Sequence, residues 1–342
     1  MNSYKCLFIC KQRAQNKYGS FGLMNSAKFV SDYINNYITE SKVIQVVDGN
    51  SLDKEVTIYN PQYIFIEALW VTPEKIKELL SMNSHKNRKW IIRIHSKFSF
   101  LANEGIALKW INEYSELMKQ FSNLYIAPNT EEMTKFLKSY YNCENFIYLP
   151  NVYQKEEKNQ SECTISHDSS VINIGCFGAI RPLKNQLIQA IAAIEFAKMI
   201  GKDLHFHMNK HNEQAGDQVY KNIKNLFDYC QSNVLVEHEW LNHKDFLELI
   251  YRMDIGMQVS YSESYNIVTA DFISMDVPIV TSNEVKFVMP FCKTSPNSIL
   301  LIKLSLYLNY VLAKLKLHKF NKLTLAINTF KSKKVWKKFL TK

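Results

Sequence analysis

Glycine is scarce in this chain, at nine of 342 residues, against a usual share of about 7% in soluble domains. Any loop that brings backbone amides up to a phosphate must therefore be built at few positions. Nowhere does the sequence approach the roughly 18 uninterrupted apolar residues that a membrane-spanning helix needs. The start, Met1-Asn2-Ser3-Tyr4-Lys5, lacks the basic and then apolar build of a secretory signal. A cytoplasmic protein with no integral membrane segment is the expectation. Seven cysteines, at 6, 10, 143, 163, 176, 230 and 292, are odd in number, scattered and never spaced C-x-x-C. That argues against a disulfide framework and against a zinc site, and leaves reduced, mostly buried thiols. Acidic residues are absent after position 300, where eleven lysines follow.

Those lysines explain the charge. The whole chain carries +10, and removing the eleven leaves a body of about −1 with a basic tail, which is a different object from a uniformly basic protein. A solvated lysine-rich helix face and a tail that meets a polyanion both fit. An apolar share of 46% and an aromatic share of 13% over 342 residues are more than one core comfortably organises, so two domains are expected.

The first 150 residues alternate short β-rich runs, at 5–10, 43–47, 63–67, 90–95 and 124–127, with helical patterns near 25–38, 73–82, 104–121 and 130–140. Such alternation builds parallel βαβ units, whose strands are buried on both faces and read as continuous apolar runs. The stretch 154–170 holds Lys155, Glu156, Glu157, Lys158, Asn159, Gln160 and Ser161 and almost nothing apolar, as a linker or exposed loop does. Alternation then resumes, with strands near 171–177, 204–208, 234–238, 255–259 and 279–281 and helices near 185–200, 217–230, 243–252 and 267–275. The expected fold is α/β. Two doubly wound Rossmann-like domains cover 1–153 and 171–300, with a linker at 154–170 and a basic helical segment at 301–342.

In open α/β sheets ligands sit beyond the carboxyl ends of the strands, so the loops after the expected strands hold the candidate chemistry. After the strand at 255–259 comes Tyr261-Ser262-Glu263-Ser264-Tyr265-Asn266-Ile267-Val268-Thr269-Ala270-Asp271. One acid lies in the strand-to-helix turn, and another follows eight positions later on the new helix. Amides at a helix N-terminus offer unpaired donors to a diphosphate or a sugar, and a carboxylate one to two turns on can accept two ribose hydroxyls. Two acids eight apart arise by chance in most proteins; their place after a strand and before Val277-Pro278-Ile279-Val280 gives this pair its weight.

Two further loops and one strand end join it. Phe177-Gly178-Ala179-Ile180-Arg181-Pro182-Leu183-Lys184-Asn185 follows the strand that opens the second domain, and its two cations can neutralise a pyrophosphate. Tyr18-Gly19-Ser20-Phe21-Gly22-Leu23 opens the first long helix, where Gly19 and Gly22 let backbone amides approach a phosphate or an acceptor. The strand at 90–95 ends on His95, which reads equally as an acceptor-facing group and as a satisfied structural histidine.

The turn, the acid pair and the glycine-bearing basic loop resemble the retaining family 4 glycosyltransferases, which have the B-type fold of two doubly wound domains facing across a cleft. The resemblance spans nearly the whole chain. Glu263 and Asp271 match the E-x7-E signature of that family, with Asp in second place. The resemblance implies a nucleotide-diphosphate sugar donor, UDP-linked, held mainly by the second domain. Glu263 and the amides of Ser264, Tyr265, Asn266 and Ile267 would lie near the sugar, Asp271 on the ribose, and Gly178, Arg181 and Lys184 at the diphosphate. Lys184 matches the family lysine, whereas the family arginine is Ala179 here and Arg181 stands in for it. Ser264 and Asn266 replace usual glycines, and Asn266 is expected to keep the turn through left-handed dihedrals. Leu149-Pro150-Asn151 resembles the crossover between domains, and Asp254 with Gln258, Val259 and Ser260 the strand leading to the acid turn. His95 resembles the family histidine that faces the acceptor, so Glu263, Arg181, Lys184 and His95 are the expected catalytic residues. D-x-D, by which the other major glycosyltransferase architecture holds a metal, occurs nowhere, so neither a metal nor a further cofactor is expected. Retention of configuration follows from the resemblance alone.

For the acceptor the sequence leaves alternatives, with a hydroxylated DNA base slightly ahead of a cell-surface glycan. The Asn- and Lys-rich, glycine-poor style resembles phage-encoded glycosyltransferases, some of which decorate hydroxylated bases of their own DNA in the host cytoplasm, and a basic segment suits a polyanion. The leucine-rich run 300–317, with the lysines beyond it, can instead lie on an anionic membrane as a peripheral contact and serve a lipid-linked or surface glycan. Last helices packed on the domains account for the leucines equally well. Asp271 in place of Glu, Ala179 and the missing glycines also admit a non-enzymatic alternative, an inactive transferase fold that binds a nucleotide sugar or nucleic acid.

Overall fold

The computed structural model describes residues 4–12, 21–102, 105–155, 169–210, 216–229 and 232–341. The chain divides into two units, Met1–Gln154 with Thr329–Lys342, and Lys155–Asn328.

In the first unit the order is β1 (Lys5–Lys11), α1 (Phe21–Tyr37), β2 (Glu40–Val46), α2 (Leu52–Tyr59), β3 (Tyr63–Glu67), α3 (Pro73–Ser81), β4 (Lys89–Ile94), α4 (Phe98–Leu101), α5 (Ala107–Gln120), β5 (Leu124–Pro128) and α6 (Glu131–Tyr141). The strands form one parallel sheet in the order β2-β1-β3-β4-β5. Central strands such as Tyr63–Glu67 are buried at every position, as a sheet covered on both faces requires. Only the edge strand β2 alternates, with Glu40 and Lys42 outward, which is why its first three residues escape a search for apolar runs. Thr72 caps α3, accepting from the Lys75 amide at 3.2 Å, and Pro73 takes the first helical position, where its missing N–H costs nothing.

In the second unit come β6 (Val171–Gly175), α7 (Gln186–Ile200), β7 (Asp203–Asn209), α8 (Asp217–Asp228), β8 (Asn233–His238), α9 (His243–Tyr251), β9 (Ile255–Gln258), α10 (Ile267–Ser274), β10 (Ile279–Ser282), β11 (Lys293–Thr294), α11 (Ile299–Lys314) and α12 (Phe320–Leu340), whose last residues belong to the first unit. The sheet is again parallel, ordered β11-β10-β9-β6-β7-β8. Its direction of winding reverses between β6 and β9, and a doubly wound sheet opens its ligand crevice there.

Two glycines set the spacing at that reversal. Gly175 and Gly256 are register partners across β6 and β9. A Cβ on Gly256 would stand 2.6 Å from the ring of Phe272, and one on Gly175 would stand 2.9 Å from the same ring. Bare backbone therefore lets α10 lie close on the sheet, and α10 carries Asp271 next to Phe272.

The sequence suggests a separate basic segment over 301–342, whereas the fold divides it. Leu306 and Ile302 of α11 join the second core, while Trp336 and Leu340 join the first. Trp336 is fully buried, packs against Phe8 and Phe65, and donates its indole N–H to the carbonyl of Pro150 at 2.7 Å. Apolar residues interleaved with lysines at helical spacing explain why the segment is anchored rather than solvated. No helix among the described residues is long and apolar enough to cross a membrane.

Candidate functional site

At the reversal of the second sheet, the loop after β6 and the loop after β9 are tied together by buried amides. Gln258 donates to the carbonyl of Phe177 at 2.8 Å, and Gln189 accepts from the Val259 amide at 2.8 Å while donating to the carbonyl of Lys184. Asn185, with a left-handed φ of 61°, donates to the carbonyls of Val259 and Pro296. The Tyr261 amide donates to the carbonyl of Leu183 at 2.9 Å. Such paired amides cost little to bury and hold two loops in one geometry. Gly178 has φ +112°, open only to glycine, and its amide donates to Asn209 at 2.8 Å.

The carboxylate of Glu263 sits at the centre. Its Oε1 accepts from the ammonium of Lys184, from the Ser260 hydroxyl at 2.9 Å and from Asn266 Nδ2 at 3.0 Å. Lys184 and Glu263, on two different loops, are thereby joined. Arg181 shares the loop; its amide donates to Gln186 Oε1.

Asn266 does not take the left-handed dihedrals expected of it. Its φ of −96° and ψ of 100° are extended, and its Oδ1 caps α10 by accepting from the Thr269 amide at 2.8 Å. An N-cap needs extended dihedrals to reach the third helical amide, which is why an asparagine fits here. Its Nδ2 also donates to Gln258 Oε1 at 2.8 Å, so one side chain links the strand, the turn acid and the helix start. Ser264 and Tyr265 lie half-buried in the turn, and Ile267 is the first residue of α10. The Tyr265 ring packs on Phe287 at 5.0 Å, and burial pushes its phenol up, with help from the nearby Asp271 charge.

Asp271 is buried on α10, and its Oδ1 lies 2.9 Å from Nε2 of His243, the first residue of α9. The sequence singles out the acid and passes over this histidine. Its only local signal is a helix start, Asn242 capping the Asp245 amide at 3.1 Å.

In the first unit, His95 follows β4 and its Nε2 lies 2.5 Å from Oε2 of Glu67, which closes β3. Arg93 NH1 meets both Glu67 oxygens at 2.9 and 3.1 Å, and NH2 reaches Asn151 Oδ1 at 2.9 Å. Burial alone would raise the Glu67 carboxyl, and Arg93 together with His95 outweighs it and holds the group below the usual carboxylate value. Burial and then Arg93 push the His95 imidazole down, against the opposing pull of Glu67. Glu67 and Arg93 are missed in sequence because they read as interruptions in apolar strands. Asn151, expected as part of a crossover, also accepts from the Arg93 guanidinium. Gly22 lies in the first turn of α1, and Gly19 falls outside the described residues.

No family model and no curated protein sequence matches this chain. Solved structures do. HepE of Anabaena, in complex with UDP and glucose, has a TM-score of 0.62 at 12% identity, with 99% of each chain covered. An α,α-trehalose-phosphate synthase (UDP-forming) of Burkholderia vietnamiensis has 0.68 at 8% identity, covering 99% of this chain and 96% of its own. A TarM mutant of S. aureus, in complex with fondaparinux, α-GlcNAc-glycerol and UDP, has 0.60 at 12% identity over 82% of this chain. The chain spans about half the length of TarM, 54%, and nearly all of the other two. At these identities the likeness is one of fold: an α/β chain with two parallel sheets, as the B-type glycosyltransferases have.

Proposed function

We propose that this chain is a glycosyltransferase that takes a sugar from a nucleotide-diphosphate donor, UDP-linked, and passes it to an acceptor hydroxyl with retention and without a metal. The observation that carries the reading is the Lys184–Glu263 pair at the reversal point of the second sheet. A lysine there can accept charge from a departing diphosphate, and the HepE complex with UDP and glucose supports a donor of that kind.

In the proposed reaction the bond from the anomeric carbon to the diphosphate oxygen breaks, and the acceptor oxygen bonds the same carbon. The acceptor proton passes to the departing phosphate. Lys184 and Arg181 stabilise the charge that grows on the diphosphate. Lys184 can be shared with a phosphate because Glu263 keeps its Ser260 and Asn266 hydrogen bonds. Glu263 orients the sugar, Asp271 accepts the ribose hydroxyls, and His243 fixes the Asp271 carboxylate. Amides at the start of α10, with Gly178, complete the donor site. In the first unit, His95, held by Glu67, is assigned to the acceptor.

The reading places the enzyme in the cytoplasm, in keeping with the five described cysteines being free. Exposed leucines on α11 favour an acceptor glycan at a lipid surface over a hydroxylated DNA base, since leucines gain nothing from a phosphate backbone. Incubation with nucleotide sugars tests the proposal. Release of nucleoside diphosphate, lost in Lys184→Ala, supports it; binding without release points to a nucleotide-sugar sensor instead.

A further inference from the structure

Helix α11 is apolar on two sides. Ile302 and Leu306 turn inward to the second core, where the helix packs against α7. On the other side Leu300, Leu301, Leu304, Tyr307, Leu308 and Val311 are 36–56% exposed, and Leu315 just beyond is 65% exposed. Spacings of three, four and seven put these residues on one stripe. Single exposed leucines are ordinary, but a continuous periodic stripe is not. The start of α12 repeats the arrangement: Asn321 and Leu325 are buried, while Phe320, Leu323 and Ile327 are exposed.

Charge says what covers the stripe. From residue 301 onward the chain has eleven lysines and no acid. Asp276 meets Lys319 and Lys322 at 3.0 and 2.8 Å, and Glu195 meets Lys303 at 4.0 Å. Among the described residues these are the acids seen paired with the segment's lysines. Lys314 and Lys316, at the end of the stripe, are exposed. A second copy of the chain would bring lysines against lysines. A nucleic-acid backbone would satisfy the lysines and leave the leucines in water.

We propose that the outer stripe of α11, with the lysines that follow it, docks this protein on an anionic lipid surface. The leucines enter the boundary between headgroups and acyl chains, and Lys314 and Lys316 stay at the headgroups. The inference stands on the stripe and not on the donor site. Should the transferase reading also hold, the acceptor is carried on that surface.

The test is co-sedimentation of the full chain with vesicles of phosphatidylcholine containing about 30% phosphatidylglycerol, and with neutral vesicles, at low and high salt. Binding to the anionic vesicles alone, weakened by salt, is the expected result. The double variant Leu304→Glu/Leu308→Glu should lose at least about tenfold in partitioning. The variant Lys314→Gln/Lys316→Gln should lose about fivefold per lysine. Both change exposed residues, so their circular dichroism and melting should match the parent. Donor hydrolysis without vesicles is measured separately and should be equal in parent and variants, so failure of docking and failure of the transferase reading are told apart. The proposal is overturned if the parent ignores anionic vesicles, if it binds duplex DNA in their place, or if the leucine variant turns a dimer into a monomer in light scattering.

Discussion

Lys184 and Glu263, 79 positions apart in the sequence, meet as an ion pair where the second sheet reverses its winding. The loops that carry them are tied by Gln189, Gln258 and Asn185, so the pair is held by buried amides rather than by the charges alone. Lys184→Ala should lower turnover about 10²–10³-fold, as removal of one preorganised charge-stabilising group does. The folded state should lose only about 1–2 kcal/mol, because the lysine is partly exposed and Glu263 keeps its hydrogen bonds from Ser260 and Asn266. A variant with near-normal turnover contradicts the assignment.

Asp271 and His243 share the second polar contact of the proposed donor site. Asp271→Ala should weaken binding of UDP by about 1–3 kcal/mol, leaving ribose hydroxyls without their acceptor. His243→Ala should weaken it less, since the histidine acts through the acid. Calorimetric titration with UDP reads both. Unchanged affinity in a folded Asp271→Ala protein removes Asp271 from the site.

Phe272 covers both glycines of the β6–β9 junction, so Gly256→Ala forces a ring to move. The expected cost is about 1–3 kcal/mol of stability. Because Asp271 is the neighbouring residue, UDP affinity should fall as well. Chemical denaturation and UDP titration on one sample check the two together; a loss of stability with affinity intact would show that α10 tolerates the shift.

His207 supplies a pH dependence. Its Nδ1 lies 2.9 Å from His238 Nε2, and its Nε2 lies 3.1 Å from Asn173 Oδ1. Burial, then His238 and His205, push its pKa down from 6.5 to about 3. The unfolded chain therefore binds a proton in a window where the folded chain does not. Stability from this group is complete above about pH 6.5 and falls as the pH drops toward about 3, by roughly 3–5 kcal/mol in all. Urea midpoints measured across that window should slope for the parent and be flatter for His207→Phe. Equal slopes exclude His207 as the source.

Much of this arrangement was legible in the sequence because its signals are local. Apolar runs such as Tyr63–Glu67, alternating with helical periods, mark parallel strands whatever the tertiary context. Glu263, Lys184 and Asp271 are legible because they lie in, or one helix turn beyond, loops that follow strands. Asn266 reads in the sequence as a replaced glycine, since a missing glycine and an N-cap look alike until the dihedrals are known. His243, Glu67 and Arg93 were not legible: each owes its role to a partner 26 or 28 positions away. The leucines of α11 could be counted but not oriented, because packing on α7 decides which of them stay in water.

Release of nucleoside diphosphate from purified protein, given a panel of nucleotide sugars with and without chelator, is the most direct measurement of the proposed activity. Release from at least one UDP-sugar is expected, unaffected by chelator and reduced about 10²–10³-fold in Lys184→Ala. No release from any donor, with or without added acceptor, would contradict it.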